Sequence, residues 1–290
     1  MTLKDFCFEG DRELVIRDMP TDAGDQKAEK AALVEKTGKN MLKAAELQAR
    51  LYAAKKEGLV IALQARDASG KDSLIKKVIS RLNPAGLKVT SFKVPNPTDL
   101  AHDYMWRINR AMPERGYIGV FNRSHYEDVL IVRVHQMQKN YNMAERCISI
   151  PEDEFFANRY RQLRNWEQYL WENGFRMVKV FLNISKEEQK QRFMDRLELS
   201  EKQWKLSVAD MKERELWDEY DRAFEQCINS TATKYAPWYV LPADNKWYTR
   251  YLMSEVILKT LEDMDPQYPP LNPEKAARIP AAIQELEQEL

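Results

Sequence analysis

The ten residues QARDASGKDS (Gln64–Ser73) place Gly70 and Lys71 where a phosphate-binding loop of pattern G-x-x-x-x-G-K-S/T needs them. Two letters depart from that pattern. Ala65 stands at the first glycine, and Asp72 holds the hydroxyl position, with Ser73 one residue late. A tight turn through Ala68, Ser69 and Gly70 that opens a helix at Lys71 aims backbone N–H groups and the helix dipole at one point, which suits phosphate oxygens. Lys71 adds a mobile cation for the distal phosphates. The missing hydroxyl removes one usual magnesium ligand, but Asp67 and Asp72 are hard oxygen donors able to replace it. Taken alone, a Gly-Lys pair after a strand marks no more than a helix N-terminus.

A second constellation is FNRSHYED, Phe121–Asp128. Asn122 offers a neutral carbonyl that accepts from metal-bound water, Arg123 a planar fork suited to phosphate, and Glu127 a carboxylate able to ligate metal or hold an arginine. The competing reading of Arg123 and Glu127 is an ordinary surface ion pair. His125 and His135 lie in no metal-ligand spacing and are expected to be hydrogen-bonded structural histidines.

Both constellations need strands behind them. Leu59–Leu63, Tyr117–Phe121 and Met177–Leu182 read as buried strands, with a weaker edge candidate at Lys88–Val94 and a late one at Trp238–Leu241. Helical stretches are expected at 40–56, 71–82, 99–112 and 152–173. Strands alternating with helices predict an α/β fold of three layers, a parallel sheet flanked by helices, with ligands beyond the carboxyl ends of the strands. Residues 1–38 read as an N-terminal arm of uncertain structure, and 39–263 as the catalytic domain. Residues 264–290 read as a proline-rich tail with a short amphipathic helix, packing on the body or on another subunit. The charged stretch 185–228 reads as helical, with one break near Ser207.

Of the 290 residues 31% are charged, yet the net charge is zero, so no global field attracts a polyanion. Zero net charge, without aromatic-basic interleaving, argues against nucleic acid as a partner. Three widely spaced cysteines fit a reducing compartment and argue against a disulfide scaffold or zinc site. No apolar signal segment opens MTLKDFCFEGDREL, and no run reaches membrane-spanning length; a cytoplasmic protein without membrane contact is expected. The tryptophans Trp106, Trp204, Trp217, Trp238 and Trp247 are expected in the core.

The loop RDASGKDS, the strand end FNRSHYEDVLIVRVH, the segment APWYVLPADNKWYTR and the spacing of PNPTDL and Trp106-Arg107 between the two motifs together resemble the polyphosphate kinase 2 family over roughly residues 40–262. Asn122-Arg123, where most of the family has Asp-Arg, resembles its class III branch, whose members act on nucleoside mono- and diphosphates. The resemblance implies a P-loop kinase-like fold with a helical lid, placed here at about 185–228. It implies transfer of the terminal phosphoryl group of inorganic polyphosphate to AMP and ADP, or their guanine counterparts, reversibly and with magnesium or manganese. Lys71 and Arg123 are then expected at the transferring phosphate beside Asn122, with Asp67 and Glu127 holding metal. Lys93 and Arg107 fall to the nucleotide. Arg192 and Arg196, four apart on one helical face, grip polyphosphate, with Arg133 and Lys205 as weaker members; the bland reading of that stretch is a solvated charged helix. A homo-oligomer, dimer or tetramer, is expected. The alternatives are an ATP-dependent P-loop kinase and a non-catalytic phosphate or nucleic-acid binder.

Overall fold

Aliphatic and β-branched residues at period two build a six-stranded sheet from β1 (Cys7–Phe8), β2 (Gly58–Ala65), β3 (Leu87–Ser91), β4 (Ile118–Asn122), β5 (Phe175–Asn183) and β6 (Trp238–Pro242). The computed structural model describes residues 1–198, 200–204 and 208–289. The strand order is β1-β6-β5-β2-β4-β3; β2 to β6 are parallel to their neighbours and β1 is antiparallel to β6.

Alternation sends each strand's side chains into two separate cores. Leu59, Ile61 and Leu63 of β2, Ile118 and Val120 of β4, and Val178, Val180 and Leu182 of β5 face the helices Lys30–Ala54 and Lys246–Met264. Val60, Phe121, Met177, Phe181, Trp238 and Val240 face the helices Glu152–Glu172 and Trp217–Thr231. A fully buried side chain of this kind contributes about 1.5–3 kcal/mol, so a sheet covered on both faces holds its strand ends rigidly. The predicted three-layer fold is the observed one.

The boundaries differ in instructive ways. The first long helix begins at Lys30, ten residues before the expected start, because KAALVEKTGK carries too few apolar residues to display a period. The expected helix 71–82 is α-helical over Lys71–Lys77 and closes in a 3₁₀ turn, Ile79–Arg81. The stretch 99–112 divides into the short helices Pro97–Leu100 and Trp106–Ala111. The arm is not loose: Phe6, Phe8, Leu14 and Ile16 are buried, and β1 covers the open edge of β6. The tail helix Pro273–Gln288, in contrast, buries none of its side chains on the body. The charged stretch comprises the helices Lys186–Glu198, Ser200–Gln203, Val208–Glu213 and Trp217–Thr231; the break expected near Ser207 lies outside the described residues.

Candidate active site

β2 and β4 are adjacent and parallel, and their register pairs Leu63 with Asn122. The two constellations therefore leave the sheet side by side. The Arg123 N–H donates to the Leu63 carbonyl at 3.0 Å, holding Arg123 in a left-handed conformation (φ +62°) that aims its side chain across the loop after β2. Such a backbone costs about 1–2 kcal/mol in a residue with a Cβ and marks a position fixed by its surroundings. In the loop itself Ala68 (φ +60°) and Gly70 (φ +105°) are also left-handed, the latter a conformation that suits glycine.

The loop's carbonyls are all taken up by protein donors. Lys71 Nζ donates to the Ala65 carbonyl at 2.9 Å and the Ser69 hydroxyl to that of Arg66 at 2.7 Å. Gln189 Nε2 donates to the Asp67 carbonyl at 2.9 Å, and Arg192 Nη1 to those of Ala68 and Ser69, each at 2.9 Å. With its acceptors satisfied by the protein, the loop's remaining polarity is that of its N–H groups, which suits an anion.

Around this loop stand two cations and two carboxylates. Arg123 Nη2 lies 3.0 Å from Asp67 Oδ1. Burial depresses the Lys71 pKa against the pull of Asp67, whereas burial pushes the Glu127 carboxyl up against the pull of Arg123 and Lys71. With its amide turned to satisfy its neighbours, Gln64 donates to Glu127 Oε1 at 2.8 Å and accepts from the Ser124 hydroxyl at 2.9 Å. Asn122 Nδ2 donates to Asp72 Oδ1 at 3.1 Å, tying the strand end to the first turn of the next helix. Asp67, Arg123 and Glu127 line a cavity of about 210 Å³ whose far wall is Asp210, Arg214, Trp217 and Tyr220. Burial and the nearby Asp67 push the Asp210 carboxyl up.

The expected polyphosphate stripe is divided. Arg192 is buried and spends all its donors within the protein: Nε on Glu188 at 2.8 Å, Nη1 on the loop carbonyls, and Nη2 on the carbonyls of Ala243 (2.6 Å) and Asp244 (2.9 Å). It is therefore a clamp beneath the loop and has no donor left for polyphosphate. Arg196 stands 3.8 Å from Asp210 at the cavity wall. Arg133 pairs with Asp153 at 2.9 Å, reaches the Tyr160 hydroxyl at 3.4 Å and lies over Phe156, apart from the cavity. Lys205 lies outside the described residues. Lys93 is exposed, and its carbonyl accepts from Arg107 Nη1 at 2.7 Å; neither residue lines the cavity. Trp238 is buried in the core as expected and Trp217 packs half-buried against the core while also lining the cavity, but Trp204 is 77% exposed and not the core residue expected. His135 is hydrogen-bonded to Glu213 at 3.0 Å, but His125 Nε2 stands 3.9 Å from Glu167, too far for a hydrogen bond.

Sequence reasoning missed Arg66, Arg214, Asp210 and Tyr220. Arg66 is buried, ion-paired with Asp221 and stacked 4.2 Å over Trp217. Arg214 donates to Gln189 Oε1 at 2.6 Å and the Lys186 carbonyl at 3.0 Å. The signal for Arg66 was the period-two continuation of Val60, Ala62 and Gln64 past the strand. Asp210, Arg214 and Tyr220 had no local signal, since their neighbours lie across the fold.

The family model for polyphosphate kinase 2 (PPK2) matches residues 26–269. The chain belongs to the polyphosphate kinase 2 family. It is 45% identical over 246 residues to the ADP-polyphosphate phosphotransferase of Rhodopseudomonas palustris, covering 83% of each chain. It is 43% identical over 232 residues to the AMP/ADP-polyphosphate phosphotransferase of Meiothermus ruber, covering 80% of this chain and 81% of that one. The crystal structure of polyphosphate kinase 2 from Arthrobacter aurescens TC1 superposes with a TM-score of 0.85 at 32% identity, over 98% of this chain and 97% of the other. In this polyphosphate kinase 2 chain, the paired strand ends of β2 and β4 carry the motifs read from the sequence.

Proposed function

We propose that this chain transfers the terminal phosphoryl group of inorganic polyphosphate to nucleoside mono- and diphosphates, making ADP from AMP and ATP from ADP, reversibly. The observation that carries the reading is the convergence of Lys71, Arg123, Asp67 and Glu127 around the loop after β2. The names of the Rhodopseudomonas and Meiothermus relatives support the substrate pair, and Asn122 supports the branch that accepts both monophosphates and diphosphates.

Phosphoryl transfer needs two anionic chains held in line with their charge neutralised. The loop N–H groups and Lys71 bind the phosphate at the transfer point, and Arg123, held across the loop by its left-handed backbone, bridges donor and acceptor oxygens. No general base is required, because the attacking nucleotide phosphate is already anionic. Asp67 and Glu127 suit magnesium, a hard cation usually held by one or two carboxylates together with substrate phosphates. Bound there, the ion would supply positive charge at the phosphate junction. The segment 185–228 serves as the lid, with Arg196 as its polyphosphate contact.

The test is incubation of the protein with magnesium, long-chain polyphosphate and AMP, ADP, GMP or GDP, with product nucleotides followed by chromatography. ATP formed from ADP without any nucleotide donor is the expected result. Phosphorylation only when ATP is supplied as donor would overturn the reading.

A further inference from the structure

Lys179 lies in the middle of β5 on the face that carries Met177 and Phe181, and it is wholly excluded from solvent. A lysine in such a place must have a partner. Its Nζ donates to Glu167 Oε2 at 2.7 Å and to the Thr231 carbonyl at 2.7 Å. The second oxygen of Glu167, Oε1, accepts from the Tyr126 hydroxyl. Thr231 in turn accepts from Trp238 Nε1 at 2.9 Å and donates to the Cys227 carbonyl at 2.7 Å, which binds the cluster to β6 and the helix Trp217–Thr231.

None of these groups reaches the cavity, and a buried ion pair is a poor source of stability against an apolar replacement. What distinguishes this one is where its third member comes from. Tyr126 lies between Arg123 and Glu127 in a single tight turn: the Ser124 hydroxyl accepts from the Tyr126 N–H at 3.3 Å, and the Glu127 N–H donates to the Ser124 carbonyl at 3.1 Å. Arg123 enters that turn in the left-handed region, so the turn must be held from outside. Above it Gln64 grips Ser124 and Glu127. Elsewhere the turn is held by the Tyr126–Glu167 bond and by the Tyr141 hydroxyl, which donates to Asp128 Oδ1 at 3.1 Å, whereas neither ring nitrogen of the adjacent His125 has a hydrogen-bond partner.

We propose that Glu167, neutralised by Lys179, acts through the Tyr126 hydroxyl as a positioning residue that sets Arg123 and Glu127 for transfer. The proposal rests on the role given to those two residues above. Burial opposes ionisation of Glu167, but Lys179 and the adjacent His125 together outweigh it and hold the carboxylate below its ordinary range. The Tyr126 hydroxyl is the donor and Glu167 Oε1 the acceptor, both fully buried.

Tyr126→Phe removes this bond while leaving the Glu167–Lys179 pair and the ring packing in place. In the ADP and polyphosphate assay, kcat is expected to fall about tenfold, with both KM values within about twofold, because a displaced Arg123 is missed most in the transition state. Leu170→Ala, a core truncation on the same helix as Glu167, is the control: it should lower Tm at least as far and keep kcat within about twofold. Hydrogen exchange read by mass spectrometry gives a second measure independent of turnover. Amides of residues 123–128 should exchange about tenfold faster in Tyr126→Phe and unchanged in Leu170→Ala. Wild-type exchange in that segment overturns the tether, and so does a kcat loss no larger than that of Leu170→Ala. If the wild-type chain makes no ATP, the proposed function fails, and the exchange result alone then decides the tether.

Discussion

Lys71 is fixed at both ends of its stem: its backbone opens the helix after the loop, and its ammonium rests 2.9 Å from the Ala65 carbonyl. Lys71→Met keeps the stem and removes the charge. Steady-state kinetics should show a roughly 10²–10³-fold loss of kcat, the scale of losing one preorganised electrostatic contact, with Tm little changed. The pH profile follows from the same residue. Burial lowers its pKa, so the charge is present below that depressed value and lost as pH rises through it. The alkaline limb of kcat/KM, which reports the free enzyme, should therefore lie below the ordinary lysine value of about 10.4. Stability moves the other way. Between the depressed and ordinary values the unfolded chain binds the proton more tightly, so this residue's contribution to stability rises with pH. An alkaline limb at or above the ordinary value, unaffected by Lys71→Met, would remove Lys71 from this role.

At the level of elements, the helix Lys186–Glu198 does two jobs that one residue type conceals. Arg192 clamps four carbonyls on the phosphate loop and the segment after β6, whereas Arg196, one turn on, stands 3.8 Å from Asp210, a residue of the cavity wall. Arg192→Ala leaves those acceptors buried and unpaired, at about 1–3 kcal/mol for each that finds no water. Calorimetry should show Tm lower by roughly 5–10 °C, with kcat depressed and the KM for nucleotide and polyphosphate raised alike. Arg196→Ala should leave Tm nearly unchanged and raise only the polyphosphate KM. Equal behaviour of the two variants would refute the division. The i,i+4 spacing of these arginines was legible in the sequence, but their opposite fates were not. Spacing places two side chains on one face of a helix, and only the loop packed against that helix decides which of them is enclosed. The same holds for Glu167 and Lys179, whose meeting with Tyr126 depends on a sheet register no local pattern contains. The strand cores, by contrast, were readable because each is a short apolar run bounded by turn residues.

For the whole molecule, the arm and the tail make opposite predictions. Deleting residues 1–17 removes four buried side chains and uncovers the edge of β6; circular dichroism should show a loss of several kcal/mol of stability, and light scattering should show aggregation through the bared edge. Deleting residues 268–290 removes, among the described residues, only exposed side chains, so Tm should shift by less than about 2 °C. The structure of the arm was not legible in the sequence because its four anchors, Phe6, Phe8, Leu14 and Ile16, are spread over eleven residues, too sparse to show a period. Its pairing also bears on how the chain is made. Cys7 is synthesised 232 positions ahead of its partner Tyr239. At about 5–20 residues per second, the arm waits roughly ten to fifty seconds for β6. A strand made long before its partner thus covers one edge of the finished sheet, and a nascent chain stalled before β6 would carry Phe6 and Phe8 uncovered, a ready handle for a chaperone.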